Sequence, residues 1–551
     1  MSPRRPARSW ISSVQGALLK RWARGAPRTS YERHEKKMNN KNLFAAIRAA
    51  FPADLDSIAI EFADSSTGAT LKRYAWRELD EQTARIANLL ASLNLPEGSR
   101  IAVQTEKSVE ALMLYLGVLR AGYVYLPLNT AYQASEIEYF IDNAEPAVVV
   151  CSAKSQAWIR PIADAAKVTR VFTLDEGACG TLFEAAAGHP ATHTVVTKQA
   201  NDLAAILYTS GTTGRSKGAM LSHDNLLSNA LTLKDYWGWS ANDVLIHALP
   251  IFHVHGLFVA SHCALLSGAK MIWFSKFDPN AVLARLPEAT VFMGVPTLYV
   301  RLLADARLNR EICKNMRLLV AGSAPLLIET FNEWRERTGH TILERYGMSE
   351  TAMLTSNPYS PTQGERRGGT VGFPLPGVQV RVSGDKNDAC PVGEIGSIEV
   401  KGPNVFRGYW RMPEKTKEEF TADGWFRTGD VGKIDERGYV VIVGRSKDLI
   451  ISGGYNVYPA EIESYLNDMP GVAESAVIGV PHPDFGEAGV AVVVAKAGSA
   501  LDATAMLAEL KSKIANFKVP KRVFIVNDLP RNAMGKVQKN VLRQEHGGLF
   551  V

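Results

Sequence analysis

The stretch YTSGTTGRSKG, residues 208–218, decides how the rest of this chain is interpreted. It holds three glycines, five Ser or Thr hydroxyls and two cations. Glycines let a backbone turn sharply and aim several N–H groups at one anion, and hydroxyls and a lysine add donors and charge. The apolar residues 203–207 predict a buried strand before it, and SHDN, residues 222–225, predicts a helix start after it. The pattern favours a polyphosphate-binding loop over a polar surface turn, and it lacks the G-x-x-x-x-G-K-[ST] spacing of a Walker A loop.

The composition is typical of a globular enzyme with more than one domain. The chain has 551 residues, of which 21% are charged and 46% apolar. No apolar run approaches the roughly 18 residues of a membrane span, so we expect no transmembrane helix. The five cysteines lie far apart without metal-ligand spacing, which favours a reducing compartment.

The basic net charge is concentrated at the N-terminus. Residues 1–37 hold ten Lys or Arg and two Glu, a net +8, against +6 for the whole chain, so the remainder is net −2. This distribution does not predict a nucleic-acid surface. The basic extension is interpreted in three ways that stay open: a disordered tail, a mitochondrial presequence, or an upstream start assigned in error ahead of Met38.

Alternating strand and helix patterns predict an α/β fold of helix-covered parallel sheets. One helix is predicted where Val109, Leu112, Met113, Leu116 and Leu119 share a face. From residue 393 the pattern changes to shorter strands and turns, which predicts a small β-barrel-like part. The predicted strands of the large domain are residues 100–104, 123–128, 147–151, 244–249, 269–274 and 317–320.

A smaller α+β unit is predicted at the C-terminus, with a boundary at residues 446–447. Its predicted helices are residues 459–467 and 503–515, and its predicted strands are residues 474–480, 489–496 and 523–526. The expected organisation is therefore an extension, residues 1–37, a large domain, residues 38–446, and a small mobile domain, residues 447–551.

Seven motifs stand in an order that resembles the acyl-adenylate-forming superfamily, which includes acyl-CoA synthetases, luciferases and carrier-loading adenylation domains. Within that superfamily the chain is most similar to the malonate–CoA ligases, or malonyl-CoA synthetases. The resemblance covers essentially residues 38–544. The motifs are YTSGTTGRSKG (208–218), ALPIFHVHG (248–256), AGSAPL (321–326), ERYGMSE (344–350), WFRTGD (425–430), GRSKDLIISGG (444–454) and PRNAMGKVQK (530–539).

The resemblance implies that ATP binds to several of these motifs. Tyr346 is expected to stack on adenine, and Asp430 with Arg445 to hold the ribose. Glu350 is expected to hold Mg²⁺, which needs only one or two protein carboxylates beside phosphate oxygens. Taken singly these residues have plainer alternatives: a core tyrosine, a turn aspartate and a solvated turn glutamate. The full expected ATP-binding set is Thr209, Ser210, Gly211, Thr212, Thr213, Gly214, Lys217, Gly322, Ser323, Ala324, Glu344, Arg345, Tyr346, Gly347, Met348, Ser349, Asp430, Arg445 and Lys536.

Further roles follow from the same resemblance. Lys536 matches the catalytic lysine that bridges the acid and the α-phosphate, and Lys217 and Glu350 complete the expected catalytic set. Lys447 matches the hinge about which the small domain swings between two half-reactions. Gly453 and Gly454 are expected to let the pantetheine arm of CoA pass close to the backbone.

Two arginines and a histidine are expected to line the acyl pocket. Arg301 follows GVPTLYV, Arg345 precedes Tyr346, and His253 follows a buried run with no third metal ligand nearby. A buried guanidinium needs an anion and pairs well with a carboxylate. A dicarboxylate offers one carboxylate to react and one to be held, so we expect malonate as substrate and methylmalonate as a variant. The alternative is that Arg301 is solvated and Arg345 pairs with Glu344 or another acid.

The expected activity is an AMP-forming acid–thiol ligase that uses ATP, Mg²⁺ and CoA and forms malonyl-CoA through malonyl-adenylate. The rivals are a ligase for a short or medium monocarboxylic acid and a non-catalytic nucleotide-binding protein. We expect no nucleic-acid or membrane partner, and a monomer or a dimer. The expected location is the cytoplasm, or the mitochondrial matrix if residues 1–37 are a presequence.

Overall fold

The computed structural model describes residues 39–209, 216–384, 388–453, 455–532 and 535–550, so the predicted extension lies outside the described residues. Its strands are β1 Ile58–Ala63, β2 Thr70–Ala75, β3 Arg100–Gln104, β4 Val124–Pro127, β5 Val148–Cys151, β6 Arg170–Thr173, β7 Leu203–Thr209, β8 Lys217–Ser222, β9 Val244–His247, β10 Lys270–Phe274, β11 Val291–Gly294, β12 Leu318–Ala321, β13 Leu343–Met348, β14 Ala352–Ser356, β15 Phe373–Pro374, β16 Gln379–Ser383, β17 Gly396–Lys401, β18 Phe426–Ile434, β19 Val440–Arg445, β20 Ile450–Ser452, β21 Tyr455–Val457, β22 Val472–His482, β23 Gly486–Ala495 and β24 Arg522–Val526.

Helices connect most of these strands. They are α1 Leu43–Ala49, α2 Trp76–Ser92, α3 Val109–Arg120, α4 Ala134–Ala144, α5 Ala153–Ala165, α6 Thr181–Ala187, α7 His223–Tyr236, α8 His262–Leu265, α9 Pro279–Arg285, α10 Pro296–Leu303, α11 Ile328–Thr338, α12 Pro413–Glu419, α13 Pro459–Asn467, α14 Ala503–Lys513 and α15 Lys539–His546. A π-helix occupies His255–Ser261, and 3₁₀ turns occupy Leu286–Glu288, Ser446–Asp448 and Asn516–Lys518. None of the helices in the described part of the chain combines the length and hydropathy that a membrane crossing requires.

The chain packs as two compact units. Among the described residues, the first unit comprises residues 39–379 and Val400–Phe426, and the second comprises Val380–Glu399 and residues 427–550. This division by packing does not coincide with the boundary expected at residues 446–447, because β18 and β19 pack with the C-terminal residues. The boundary was chosen for a rotation of the chain at Lys447, and that hinge stays a prediction.

Two sheets form the core of the first unit, which confirms the predicted helix-covered parallel sheets. The nine-stranded sheet has the order β15-β14-β13-β12-β11-β9-β10-β1-β2, and the strands from β13 to β1 pair in parallel. The six-stranded sheet has the order β6-β5-β3-β4-β7-β8, with β8 antiparallel to β7. Four-residue strands such as β5 and β11 are entirely buried, as expected for parallel strands covered on both faces.

The helix α3 is more deeply buried than its one-sided apolar pattern predicts. All of its residues are buried, including Glu110 and Arg120. Each of these charges has a partner: the Tyr74 hydroxyl donates to Glu110 Oε1 at 2.6 Å, and Arg120 Nη1 lies 2.8 Å from Asp80 Oδ1. The hydrogen bonds reduce the cost of burying a charge, so a helix with polar residues can lie inside the unit.

The second unit contains two further sheets. Strands β16 to β19 form a four-stranded sheet in chain order, which is the structure of the predicted barrel-like part. Strands β20 to β24 form a five-stranded sheet with the order β21-β20-β23-β22 and β24 beside β23. The predicted helix at residues 459–467 coincides with α13, whereas β22 extends beyond both of its predicted ends, and β23 begins three residues earlier and ends one residue earlier than predicted. This arrangement confirms a C-terminal α+β domain.

Candidate active site

The expected polyphosphate loop joins two paired strands. Strands β7 and β8 are antiparallel, with Thr209 opposite Lys217 in the register. The helix start predicted at Ser222 is confirmed, since its side chain caps α7 and forms a capping box with Asn225. The helix does not follow the loop directly, because β8 lies between them. The intervening residues Ser210, Gly211, Thr212, Thr213 and Gly214 lie outside the described residues.

Lys217 begins β8 and contacts an acid and an aromatic ring. Its Nζ lies 3.4 Å from Glu419 Oε1 and 4.3 Å from the centroid of the Tyr409 ring. Sequence reasoning missed Glu419, which ends α12. Lys217 thus already contacts one anionic group, and a phosphate would offer the same kind of oxygen partner.

Glu350 lies in the turn between β13 and β14. Gly347 allows this hairpin to close, because a Cβ there would lie 1.9 Å from the Ala352 carbonyl oxygen. Glu350 is 5% exposed and its Oε1 accepts a hydrogen bond of 3.0 Å from the Tyr409 hydroxyl. The alternative of a solvated turn glutamate is therefore wrong. Tyr346, Met348 and Ser349 lie half-buried around the same hairpin.

A segment that sequence reasoning missed, residues 403–410, connects Lys217 to Glu350 by its backbone. On one side the Trp410 N–H donates to the Gly218 carbonyl at 2.7 Å. On the other side the Phe406 N–H donates to the Glu350 carbonyl at 2.7 Å. Tyr409 and Glu350 are 59 positions apart, and no sequence spacing indicates that they meet.

Arg345 has the buried environment that the sequence predicts. It lies on β13, is 2% exposed, and packs its guanidinium so closely on Gly322 that a Cβ there would lie 2.6 Å from Arg345 Cζ. Its Nε and Nη2 have no hydrogen-bond partner among the described residues. Burial lowers the pKa of Arg345 to about 9, so the guanidinium is cationic at pH 7. A buried cation with two unused donors is a site for an anion.

Glu344 does not neutralise Arg345. Adjacent residues of a strand point to opposite faces, and Glu344 Oε1 instead accepts a hydrogen bond of 3.0 Å from the Leu326 N–H. Its other carboxyl oxygen has no hydrogen-bond partner among the described residues. Burial raises the pKa of Glu344 to about 8, so most of it is protonated at pH 7. No hydrogen bond or close ion pair joins Arg345 to Glu344 among the described residues, and their charges interact only at longer range.

The AGSAPL turn brings the expected nucleotide-binding backbone close to a buried histidine. Gly322, Ser323 and Ala324 follow β12, and Ser323 has a left-handed φ of 72°, a strained conformation for a residue with a Cβ. Ser323 Oγ lies 3.4 Å from His255 Nδ1. Burial and the nearby Arg345 keep the pKa of His255 well below its ordinary value, so the ring is neutral. His253 is half-buried, and its Nδ1 accepts a hydrogen bond from the His255 N–H at 3.3 Å.

A buried lysine, also missed from the sequence, supports the π-helix that begins at His255. Lys107 Nζ lies 3.0 Å from His247 Nδ1 and donates to the His247 carbonyl at 2.8 Å. His247 Nε2 in turn lies 3.0 Å from the Gly256 carbonyl inside the π-helix. The three groups connect the end of β9 to the backbone of the expected acyl pocket.

The expectation that Arg301 is buried is wrong. Arg301 is exposed on α10, and its guanidinium lies 4.9 Å from the centroid of the Phe277 ring. The helix buries Tyr299, Leu302 and Leu303 on its other side. The structure therefore favours the alternative of a solvated helix residue, and a substrate contact for Arg301 stays a prediction.

The second unit brings the expected ribose ligands together. Asp430 and Arg445 are opposite each other on β18 and β19, and Arg445 Nε lies 2.7 Å from Asp430 Oδ1. The expected hinge residue Lys447 is exposed in the 3₁₀ turn Ser446–Asp448 that follows. Gly453 has a φ of 59°, and its N–H donates to the Phe485 carbonyl at 2.9 Å, whereas Gly454 lies outside the described residues.

Lys536 lies exposed at the end of a tight turn in the same unit. The Asn532 N–H donates to the Lys536 carbonyl at 2.9 Å, and the Lys536 N–H donates back to Asn532 Oδ1 at 3.0 Å. Arg531 holds this turn by donating to the Gly535 carbonyl at 2.7 Å and by an ion pair with Glu474. The backbone of this exposed lysine is thus fixed by hydrogen bonds.

The α/β fold and the β7–β8 hairpin are those expected of an enzyme that activates an acid with ATP, and comparison with known proteins identifies the class. The chain belongs to the AMP-binding enzyme family, whose model matches residues 53–410. The model of the AMP-binding enzyme C-terminal domain matches residues 461–536.

Individual relatives cover most of the chain. It is similar to the ATP-bound crystal structure of MatB from Rhodopseudomonas palustris, at 55% identity and a TM-score of 0.89 over 93% of this chain and 100% of that chain. It is 36% identical over 482 residues to the malonate–CoA ligase of Arabidopsis thaliana, covering 81% of this chain and 78% of the relative. It is 34% identical over 514 residues to the mitochondrial malonate–CoA ligase ACSF3 of Mus musculus, covering 86% of this chain and 87% of the relative.

Proposed function

We propose that this chain is an AMP-forming malonate–CoA ligase that converts malonate, ATP and CoA to malonyl-CoA, AMP and pyrophosphate. The observation that carries the choice of acid is the buried, cationic Arg345, which has two unused donors and no carboxylate partner among the described residues. A substrate with a second carboxylate supplies the missing anion. The malonate–CoA ligases among the relatives support the same substrate.

In the first half-reaction one carboxylate of malonate attacks the α-phosphorus of ATP. The bond from the α-phosphorus to the bridging oxygen breaks, pyrophosphate leaves, and malonyl-adenylate forms. Arg345 holds the second carboxylate, so the reacting carboxylate is oriented rather than free to rotate. Lys217 and Lys536 are assigned to the phosphates, where negative charge gathers as the two anions meet.

The residues around Glu350 fit a magnesium ion. A buried carboxylate is a hard oxygen ligand, and Mg²⁺ commonly takes one or two of these beside phosphate oxygens. When bound, the ion would neutralise charge on the phosphates. Glu350 is the residue assigned to hold it.

In the second half-reaction the thiolate of CoA attacks the carbonyl carbon of malonyl-adenylate. The acyl–oxygen bond to AMP breaks, and AMP leaves with malonyl-CoA. Gly453 and Gly454 are assigned to the pantetheine arm. Lys447 is assigned to the hinge: rotation there between the two steps would move Lys536 out of the active site and bring the CoA-binding residues in. These assignments extend the resemblance in the corresponding motifs.

The alternative is a ligase of the same mechanism for a short or medium monocarboxylic acid. The exposed position of Arg301 favours it, because the sequence argument for a dicarboxylate expected two buried arginines. Arg345 is then the one arginine of the two that can favour a dicarboxylic acid over a monocarboxylic acid. The proposed location is the cytoplasm, or the mitochondrial matrix if the basic extension is a presequence, and the protein is a monomer or a dimer.

The test is pyrophosphate release by the purified protein with ATP, Mg²⁺ and a panel of acids. The panel holds malonate, methylmalonate, succinate, acetate and octanoate, each with and without CoA, and Lys536→Ala is the control for background hydrolysis. The proposal expects malonate to give the highest kcat/KM and CoA to raise turnover. A higher kcat/KM for acetate or octanoate than for malonate would support the alternative. No pyrophosphate release with any acid would indicate a non-catalytic nucleotide-binding protein.

A further inference from the structure

Tyr409 contacts two groups of opposite charge with different parts of one side chain. Its hydroxyl donates to Glu350 Oε1 at 3.0 Å. Its ring centroid lies 4.3 Å from Lys217 Nζ, a distance suited to a cation–π contact. The same phenol therefore touches the residue assigned to Mg²⁺ and the residue assigned to the phosphates of ATP.

The position of Tyr409 is fixed by its surroundings. The side chain is buried, and its ring packs edge-on against Phe406 with centroids 4.8 Å apart. Its backbone N–H donates to Thr416 Oγ1 at 2.9 Å, and its backbone forms an antiparallel bridge with Ala219 of β8. The segment 403–410 also hydrogen-bonds the backbone of both the β7–β8 hairpin and the Glu350 turn. The backbone that carries Tyr409 is therefore held on both sides.

A rigid side chain that contacts both Glu350 and Lys217 can prevent a direct ion pair between them. A carboxylate and an ammonium attract each other strongly away from bulk water, and a direct ion pair would occupy the carboxylate that a metal needs. A phenol that hydrogen-bonds the Glu350 carboxylate and offers its ring to the Lys217 ammonium contacts both groups without joining them in an ion pair, and Glu419 supplies the carboxylate partner of Lys217. The phenol is neutral, so it does not cancel the negative charge that attracts a cation.

We propose that Tyr409 is a positioning residue for the nucleotide: it holds the Glu350 carboxylate and the Lys217 ammonium apart so that a divalent cation and the phosphates of ATP can bind between them. This inference rests on the proposed ATP-dependent ligase activity but not on the identity of the acid. It gives a role to a residue that belongs to none of the seven sequence motifs.

The chain offers a matched control for removal of the hydroxyl. Tyr74 is also a buried tyrosine of the first unit, and its hydroxyl also donates to a buried carboxylate, Glu110 Oε1, at 2.6 Å. Tyr74→Phe therefore loses the same kind of hydrogen bond as Tyr409→Phe, but next to no residue assigned to ATP or metal. A third variant, Tyr409→Leu, removes both the hydroxyl and the ring.

The experiment measures metal binding without turnover. Free Mn²⁺ is titrated by electron paramagnetic resonance against each full-length protein in the presence of α,β-methylene-ATP and no acid. We expect Tyr409→Phe to raise the dissociation constant of Mn²⁺ by about 10- to 100-fold, the usual effect of losing a hydrogen bond to a metal-ligating carboxylate. Tyr409→Leu is expected to weaken binding of the nucleotide as well, because Lys217 loses its ring contact.

Kinetics provide a second readout that a merely structural role would not change. In Tyr409→Phe the Mg²⁺ concentration for half-maximal pyrophosphate release should rise, and kcat should recover at saturating Mg²⁺. Tyr74→Phe should bind Mn²⁺ within about twofold of wild type, in keeping with a hydrogen bond remote from the metal. A shift of equal size in Tyr74→Phe and Tyr409→Phe, or none in Tyr409→Phe, would overturn the inference. Because the titration contains no acid, its result is independent of whether malonate is the substrate.

Discussion

Two arginines that the sequence places in one pocket have opposite environments in the structure. Arg345 is buried on β13 with two unused donors, whereas Arg301 is exposed on α10 against the ring of Phe277. A strand inside a sheet encloses whatever side chain it carries, but a helix at the surface lets a long polar side chain turn to water. The comparison separates a buried cation that keeps two unused donors from an exposed cation that water can solvate.

The largest expected effect comes from Arg345→Met, which removes the charge and keeps the volume. Losing a buried, hydrogen-bonded anion contact costs about 2–5 kcal/mol, so kcat/KM for malonate should fall about 30-fold or more. The same change should leave the free energy of unfolding unchanged or raise it by about 1–4 kcal/mol, since the protein no longer buries an unpaired cation. Steady-state kinetics and chemical denaturation measure the two quantities.

A half-buried arginine that is paired with a buried carboxylate is the control for this variant. Arg317 Nη2 lies 2.6 Å from Asp243 Oδ2, and Asp243 is buried. Arg317→Met leaves the Asp243 carboxylate buried without its cationic partner. It should therefore lower the free energy of unfolding by about 3–5 kcal/mol without changing the preference among acids. A loss of stability in Arg345→Met as large as in Arg317→Met would mean that Arg345 has a structural partner.

Glu344→Gln tests whether the neighbour of Arg345 is neutral. The pKa of Glu344 is about 8 in the folded protein against an ordinary 4.5, so the folded state keeps a proton that the unfolded state loses. The free energy of unfolding of wild type should therefore fall as pH rises from about 4.5 through about 8, by up to about 5 kcal/mol, and this contribution should be absent in Glu344→Gln.

The same titration should affect substrate binding. Above pH 8 an ionised Glu344 places a negative charge near Arg345, so KM for malonate should rise in wild type and rise less in Glu344→Gln. Denaturation and kinetics between pH 6 and pH 9 measure both effects. Identical pH profiles for the two proteins would contradict a protonated Glu344.

Arg301→Ala should have the smallest effect. An exposed cation–π contact contributes about 0.5–1 kcal/mol, so stability should fall slightly. The value of kcat/KM for malonate should change less than about twofold, since surface substitutions away from a site have little effect. A large loss with malonate, measured as for Arg345→Met, would restore the original expectation that Arg301 holds the substrate.

Much of the fold could be predicted from the sequence, because strand and helix periods are local. The helix Pro459–Asn467 has the predicted bounds, and the parallel strands lie where the apolar runs indicate. The exposure of Arg301 could also have been predicted, since Tyr299, Leu302 and Leu303 form an apolar helical face that excludes it. The contact of Tyr409 with Glu350 could not, because a segment crossing between two sheets produces it and no local period encodes such a crossing.

The site was predictable to the extent that it lies within motifs. The burial of Arg345 and the meeting of Asp430 with Arg445 agree with the sequence argument for their chemistry. The pKa of Glu344 and the buried Lys107 depend on packing from several elements, which the sequence does not show.

The most direct test compares malonate with butanoate, in which an ethyl group replaces the second carboxylate. The quantity is the ratio of their kcat/KM values for wild type, Arg345→Met and Arg301→Ala. The account predicts that wild type and Arg301→Ala prefer malonate about 30-fold or more, from about 2–5 kcal/mol of anion recognition, and that Arg345→Met loses this preference. A preference for malonate that survives in Arg345→Met would contradict the assignment of Arg345 as the group that recognises a dicarboxylate.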